Sequence, residues 1–291
     1  MNRPVLATAR ARVELLPEVG GSIGRFVFDG RDVLRPAPEG ASDALDVGCF
    51  PLVPFCNRIP HGRFAFQGRD VNLAPNLAGH PHPLHGQGWR AAWTVTGLSD
   101  TRAVLTYDHA PSDWPWAYRA EQILALSDEG LRIALSVTNT GTQVMPAGLG
   151  LHPYFAARPG ETLQAGVDGV WMVDADVLPT THHDGVWMRD WNAGAPTATD
   201  TLIDNCWTGF SGKAVLSAPG GAATIIEASD NCRWVHVYSP PGADFVCVEP
   251  TAARPDPFGP GFDAGEDVGE TGIVALAPGE TTSVWMTLKV A

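Results

Sequence analysis

Short runs of β-branched and aromatic residues alternate along the chain with Gly-containing turns, and no sustained apolar spacing of the 3.6-residue kind interrupts them. That rhythm predicts an almost all-β protein. In SIGRFVFDGRDVLRP (22–36) the Asp29-Gly30 pair separates two strand-like runs, and FAFQGRDVNL (64–73) repeats the device with Gln67-Gly68. Both pairs suit a two-residue hairpin loop. Further predicted strands pair 93–98 with 102–108, 118–127 with 131–138 through Asp128-Glu129-Gly130, and 213–218 with 223–228; 233–238, 244–249, 272–277 and 281–289 follow. Roughly 15 or more strands pack as sheet on sheet, so a large antiparallel β-sandwich is expected. No internal repeat of fixed period points to a propeller or solenoid. The stretches 36–48, 156–168, 180–200 and 250–271, rich in Gly, Pro, Asp and Ala, read as long connections.

Length changes this picture little: 291 residues fit one all-β unit, and 1–291 is read as a single β-sandwich domain. Hydrophobic residues make up 44% and charged ones 18%, which supports a large core and excludes a disordered composition. Acidic residues number 32 against 19 Lys plus Arg, a formal charge of -13, which repels phosphate backbones and anionic membranes. Neither nucleic acid nor membrane is an expected partner. The first residues, MNRPVLATARARVELLP, contain no apolar signal-peptide core or cleavage site, and no run of about 18 apolar residues occurs anywhere. The five cysteines, Cys49, Cys56, Cys206, Cys232 and Cys247, form no CxxC pair and read as reduced thiols in a cytoplasmic protein.

Candidate chemistry gathers in five polar islands beside aromatic residues: PFCNRIPHGRF (54–64), HPHPLHGQGWR (80–90), GLGLHPYF (148–155), IDNCWTGF (203–210) and VCVEPTAARPDPF (246–258). Planar hydrogen-bonding groups next to aromatic faces are what a sugar site needs. Taken in order, Asn57-Arg58-Ile59 with Gly62-Arg63-Phe64, then Leu84-His85-Gly86, His152 before Tyr154-Phe155, Asp204, and Glu249-Pro250 resemble the aldose 1-epimerase (galactose mutarotase) family over most of the chain. The resemblance implies a supersandwich with the sugar on its concave face and no metal or other cofactor in catalysis. It further implies that Glu249 is the catalytic base and His152 the acid. Arg58 and His85 would bind the reacting end of the sugar, Asn57 would sit beside them, and Asp204 would accept hydrogen bonds from ring hydroxyls. Residue type alone makes Trp207, Phe210, Trp89 and Phe155 candidate stacking surfaces.

Each of these has a plainer reading. Glu249 could be the first solvated residue after a buried strand, His152 a core histidine bonded to a carbonyl, and Asp204 a turn residue. His80, His82 and His85 invite a zinc reading, but Pro81 and Pro83 break helical ligand spacing and no Cys or acid completes the set. Two departures from the family pattern bear on substrate identity: Gln87 stands where a second Gly often follows His-Gly, and Leu151 and Pro153 flank His152 in place of Asn and Thr. The expected activity is interconversion of the α and β anomers of a free aldose, by a monomer or homodimer whose partner is the small-molecule sugar. The alternatives are a mutarotase-like enzyme for a modified sugar (a deoxy sugar, pentose or sugar phosphate) and a non-catalytic carbohydrate-binding protein. A hydrolase or lyase on a similar sandwich is more remote. For a phosphate, Arg90 and Arg254 are the visible anchors, and the acidic run from Asp263 to Glu270 reads as a solvated loop.

Overall fold

In the computed structural model, residues 3–259 and 268–291 are described, so the acidic run from Asp263 falls largely outside them. The two expected turns form: Asp29 and Gly30 take φ 47 and 76, Gln67 and Gly68 take 49 and 76, and the flanking strands pair antiparallel. The pair Ser127↔Gly130 closes the next long hairpin, so its second strand starts at Gly130, one residue before the expected 131.

Two large antiparallel sheets dominate. The nine-stranded sheet carries Tyr118–Ser127, Gly130–Asn139 and Thr281–Val290 at its centre. Its strands alternate buried and exposed positions, as in Tyr118–Ser127, because one face packs on the core and the other meets solvent. The eleven-stranded sheet places Cys49–Leu52, Gly150–Ala156, Phe245–Thr251, Trp234–Ser239 and Ile203–Thr208 side by side. Here the alternation disappears: Gly150–Ala156 and Phe245–Thr251 are buried at all but one terminal position each. Both faces of this sheet are therefore covered. One face holds Leu151, Phe155, Trp207, Val235, Val237, Val246 and Val248, all members of the hydrophobic core cluster. The opposite face, covered by connections, receives the polar residues.

Two regions read as connections contain strands, Thr162–Ala165 in one and Pro179–Asp184 with Ala195–Pro196 in the other. They are short, and Pro179–Asp184 and Ala195–Pro196 close the outer ends of the two sheets. An edge strand pairs on one side only and needs little apolar patterning, which hid these two; Thr162–Ala165, paired on both sides, was hidden by its four-residue length. No helix among the described residues is long and apolar enough to cross a membrane.

The Gln67-Gly68 turn allows a clean test of backbone preference, because a Cβ added at Gly68 would meet nothing within 4 Å. Gly68→Ala is expected to lower stability by about 1–2 kcal/mol from its left-handed φ alone, measured by thermal or denaturant unfolding. An unchanged midpoint would show that the turn is not held in this form.

Candidate active site

Register on the eleven-stranded sheet assembles the polar face. Glu249 pairs directly with His236, and His236 with Cys206. His152 lies midway between the pairs Gly150↔Thr251 and Tyr154↔Cys247, which puts it across from Glu249. One row further along run Tyr154, Cys247, Tyr238 and Asp204. Since side chains alternate faces with period two, all of these lie on the face opposite Leu151, Phe155, Trp207, Val235 and Val248. Of them, His152, Glu249, His236, Tyr154, Tyr238 and Asp204 floor a cavity of about 400 Å³ also lined by Arg35, Asn57, Arg58, His80 and His85. His152 Nε2 is 3.3 Å from Glu249 Oε1, with the two side chains only 8% and 2% exposed.

Loops deliver the rest. Asn57 and His85 both adopt left-handed backbone, φ 59 and 58, a conformation that non-glycine residues hold only where surroundings enforce it. The enforcement is visible: His85 N donates to Asn57 O (3.1 Å), and Asn57 N donates to His85 Nδ1 (3.2 Å). Asn76 staples the same loop, donating to Leu84 O and Gly86 O and accepting from Leu84 N. Gly86 is required here, since at φ 71 a Cβ would come 2.2 Å from Val53 O. Because Nδ1 of His85 accepts, the neutral ring carries its proton on Nε2 and offers it as a donor.

Burial sets the electrostatics. It drives His152 down to about 3, helped by the neighbouring His236. It drives His85 well below 6.5, assisted by its neighbours His152, Arg58 and His236. It pushes the Glu249 carboxyl well above 4.5, reinforced by Asp204 and opposed by Arg58. Asp204 goes the other way. Burial would raise it, but the hydrogen bond with His236 Nε2 (2.6 Å) and the nearness of His236, Arg58 and His152 outweigh that and hold it below 3.8. Arg58 Nη2 lies 3.9 Å from the second Asp204 oxygen.

The structure thus brings Glu249, His152, Arg58, His85, Asp204 and Asn57 to one cavity. Trp207 is a correction. It shares a strand with Asp204 but sits three residues on, so it faces the core, 1% exposed, edge-on to Trp191. Phe210, Trp89 and Phe155 are likewise buried off the cavity, and Trp89 Nε1 is spent on Leu84 O. The rings that do line it are Tyr154, Tyr238 and Phe245. His236, Arg35 and these rings were missed by sequence reasoning. Alternation in Trp234–Ser239 places His236 and Tyr238 on one face and was the available signal for both.

The three histidines of HPHPLH part company. His80 lines the cavity, His82 Nδ1 accepts from His61 N (3.0 Å), and His85 is held as above. A different group, His152, Cys247 and Glu249, has ligand atoms within 4.8 Å of one another. Burial raises both the Cys247 thiol and the Glu249 carboxyl, which favours the protonated, non-ligating forms. Arg90 pairs with Asp43 at 2.8 Å and lines a separate cleft, and Arg254 lines another.

Residues 6–289 match the aldose 1-epimerase family model, and the chain belongs to that family. It is 35% identical over 280 residues to the uncharacterized protein YphB of Escherichia coli K12, covering 93% of each chain. A second relative from that organism, the uncharacterized protein YihR, is 28% identical over 257 residues, 84% of this chain and 82% of that one. A solved Escherichia coli K12 structure, described provisionally as an aldose 1-epimerase, superposes with TM-score 0.91 at 32% identity, covering 99% and 98% of the two chains. A galactose mutarotase-like protein from Clostridium acetobutylicum shares the fold, with TM-score 0.86 at 19% identity over 99% and 94%.

Stability should record the cost of the buried carboxyl. The folded state prefers protonated Glu249, so the associated stability is complete below the unfolded value near 4.5 and is lost as pH rises through the higher folded one. Glu249→Gln is expected to melt at an increasing margin above the natural protein as pH is taken from about 4 to about 8. A margin that stays level or shrinks would show that this carboxyl is not penalised.

Proposed function

We propose that this protein is an aldose 1-epimerase (mutarotase), opening and reclosing the ring of a free sugar with its own side chains as acid and base. The observation that carries the reading is the contact of 3.3 Å between His152 Nε2 and Glu249 Oε1 on the floor of a preformed cavity. Mutarotation takes one proton from O1 and gives one to O5. A pair holding a single proton performs both transfers: its basic member accepts from O1 while its acidic member donates to O5. The C1–O5 bond opens, the carbonyl turns about C1–C2, and the reversed transfers close the ring on its other face.

Family pattern gives Glu249 the basic role and His152 the acidic one. Burial leans the other way, toward neutral imidazole and carboxylic acid. The two distributions contain the same number of protons and differ by one transfer between neighbouring atoms. A sugar whose O1 and O5 lie over the pair accomplishes that exchange through its own oxygens. Around it, Arg58 and the Nε2–H of His85 are donors to sugar oxygens, and Asp204, oriented by His236, is the acceptor for ring hydroxyls. Tyr154, Tyr238 and Phe245 supply apolar faces. A protein that only bound sugar would gain nothing from a carboxyl held at this desolvation cost.

The approach to anomeric equilibrium of freshly dissolved pure anomers, followed by polarimetry or NMR across a panel of sugars, tests the reading against the spontaneous rate. The protein is expected to accelerate at least one sugar, and Glu249→Gln and His152→Ala each to remove about 10²-fold or more of that acceleration. Full activity in both variants would refute the assigned roles.

The pH dependence follows from the same pair. It holds one proton between the imidazole lowered to about 3 and the carboxyl raised above 4.5. The profile of kcat/KM is expected to be bell-shaped, with an acid limb far below the ordinary imidazole value of 6.5. An acid limb at that ordinary value, or a monotonic profile, would contradict the shared-proton account.

A further inference from the structure

One cation of the cavity has no counter-charge. Arg35 follows directly on the first hairpin, and its backbone N–H donates to Tyr154 O at 2.7 Å. This lays the side chain between two rings, with the guanidinium carbon 4.1 Å from the centroid of Tyr154 and 4.5 Å from that of Phe245. Nη2 donates to Leu45 O (2.5 Å) and Val47 O (3.1 Å), while Nε is buried without a partner. Arg35 makes no ion pair among the described residues. Its charge is nevertheless felt at His152, Tyr154 and Tyr238.

The two carboxyls that line the cavity, Asp204 and Glu249, are both engaged away from Arg35, the first by His236 as well as Arg58 and the second by His152. Asp204 answers Arg58. His152 and Glu249, with one proton between them, carry no net charge whichever of them holds it. Arg35 is left over. Methionine or leucine could fill the slot between the two rings but could not donate to Leu45 O and Val47 O, so the side chain must be polar here, though not an unpaired cation. A guanidinium on the cavity wall, held by carbonyls and ring faces and by no carboxylate among the described residues, is a ready partner for an anion that arrives with the ligand.

We propose that the sugar opened in this cavity is acidic, carrying a carboxylate of the uronic acid kind, and that Arg35 is the residue that binds that group. The inference rests on the mutarotase reading and narrows its substrate class. Tyr154 lies two residues along the strand from His152, roughly 7 Å, so Arg35 stands at the scale of one pyranose ring and its exocyclic group from the reacting atoms. With Nη2 committed to two carbonyls and Nε enclosed, Nη1 is the nitrogen left to the cavity. A single nitrogen suits a compact monoanion better than a phosphate dianion, whose oxygens call for several donors.

The test compares glucose and galactose with glucuronate, galacturonate and glucose 6-phosphate in the equilibration assay, using the natural protein, Arg35→Met and Arg35→Lys, with circular dichroism to confirm folding. The uronates are expected to exceed the neutral sugars in kcat/KM by about tenfold or more. Arg35→Met should cut that ratio by a similar factor, mainly through KM, and Arg35→Lys should retain part of it. Neutral sugars equilibrated faster than uronates, a preference for the phosphate, or a ratio indifferent to Arg35 would each overturn the proposal. Calorimetric binding of the same sugars separates the two claims. Arg35-dependent uronate binding without acceleration would sink the mutarotase reading alone, and acceleration of neutral sugars without uronate preference would sink this one alone.

Discussion

A carboxyl and an imidazole lie in contact where water is nearly excluded, and the surrounding architecture answers to the cost of keeping them there. Neither burial penalty is cancelled by a counter-ion: Arg58, 3.9 Å from Asp204, offsets that of Glu249 only in part, and His236 is hydrogen-bonded to the same Asp204 carboxylate. What holds Glu249 and His152 in place is the sheet. Their strands are the central ones of the eleven-stranded sheet, core-packed on one face and covered on the other. A one-residue slip in either strand would turn its titratable group into the hydrophobic core. The position of the chemistry is therefore as secure as the fold itself.

Prolines mark the same place. Pro153 and Pro250 follow His152 and Glu249 directly, and the ladder between these strands lapses between the pairs Gly150↔Thr251 and Tyr154↔Cys247. A proline has no N–H to give to a ladder. The lapse sits beside His152 and Glu249 while the outer pairs keep the register. On the loop side, constraint comes from left-handed backbone at Asn57 and His85, each tied to the other, with Asn76 stapling the turn. Strand and loop thus reach one cavity by different means, the first by pleat and the second by local hydrogen bonds.

The legible parts of the sequence were those whose signal is local. The Asp29-Gly30 and Gln67-Gly68 hairpins carry their turn chemistry on two residues, and Glu249 and His152 stand inside short motifs. Trp207 was misplaced because residue type was read without parity: three positions from Asp204 on a strand is the opposite face. His236 went unread although it lies opposite Glu249 across one hairpin, since the pairing depends on the loop between Trp234–Ser239 and Phe245–Thr251. Arg35 was invisible for a different reason. Its partners Tyr154, Phe245, Leu45 and Val47 come from separate segments, and only the fold shows that none of them is an acid. The polar edge strands stayed hidden because one-sided pairing leaves little pattern to find.

On the proposed chemistry one sugar carbon bears two oxygens, and His152 and Glu249 together reach both. A crystal structure of the protein soaked with a sugar that it equilibrates measures this directly. The anomeric end should lie over the pair, with O1 and O5 each within hydrogen-bond distance of one member and the ring beside Asp204 and Tyr154. A sugar bound with its anomeric carbon turned away from His152 and Glu249, or seated in a different cleft, would contradict it.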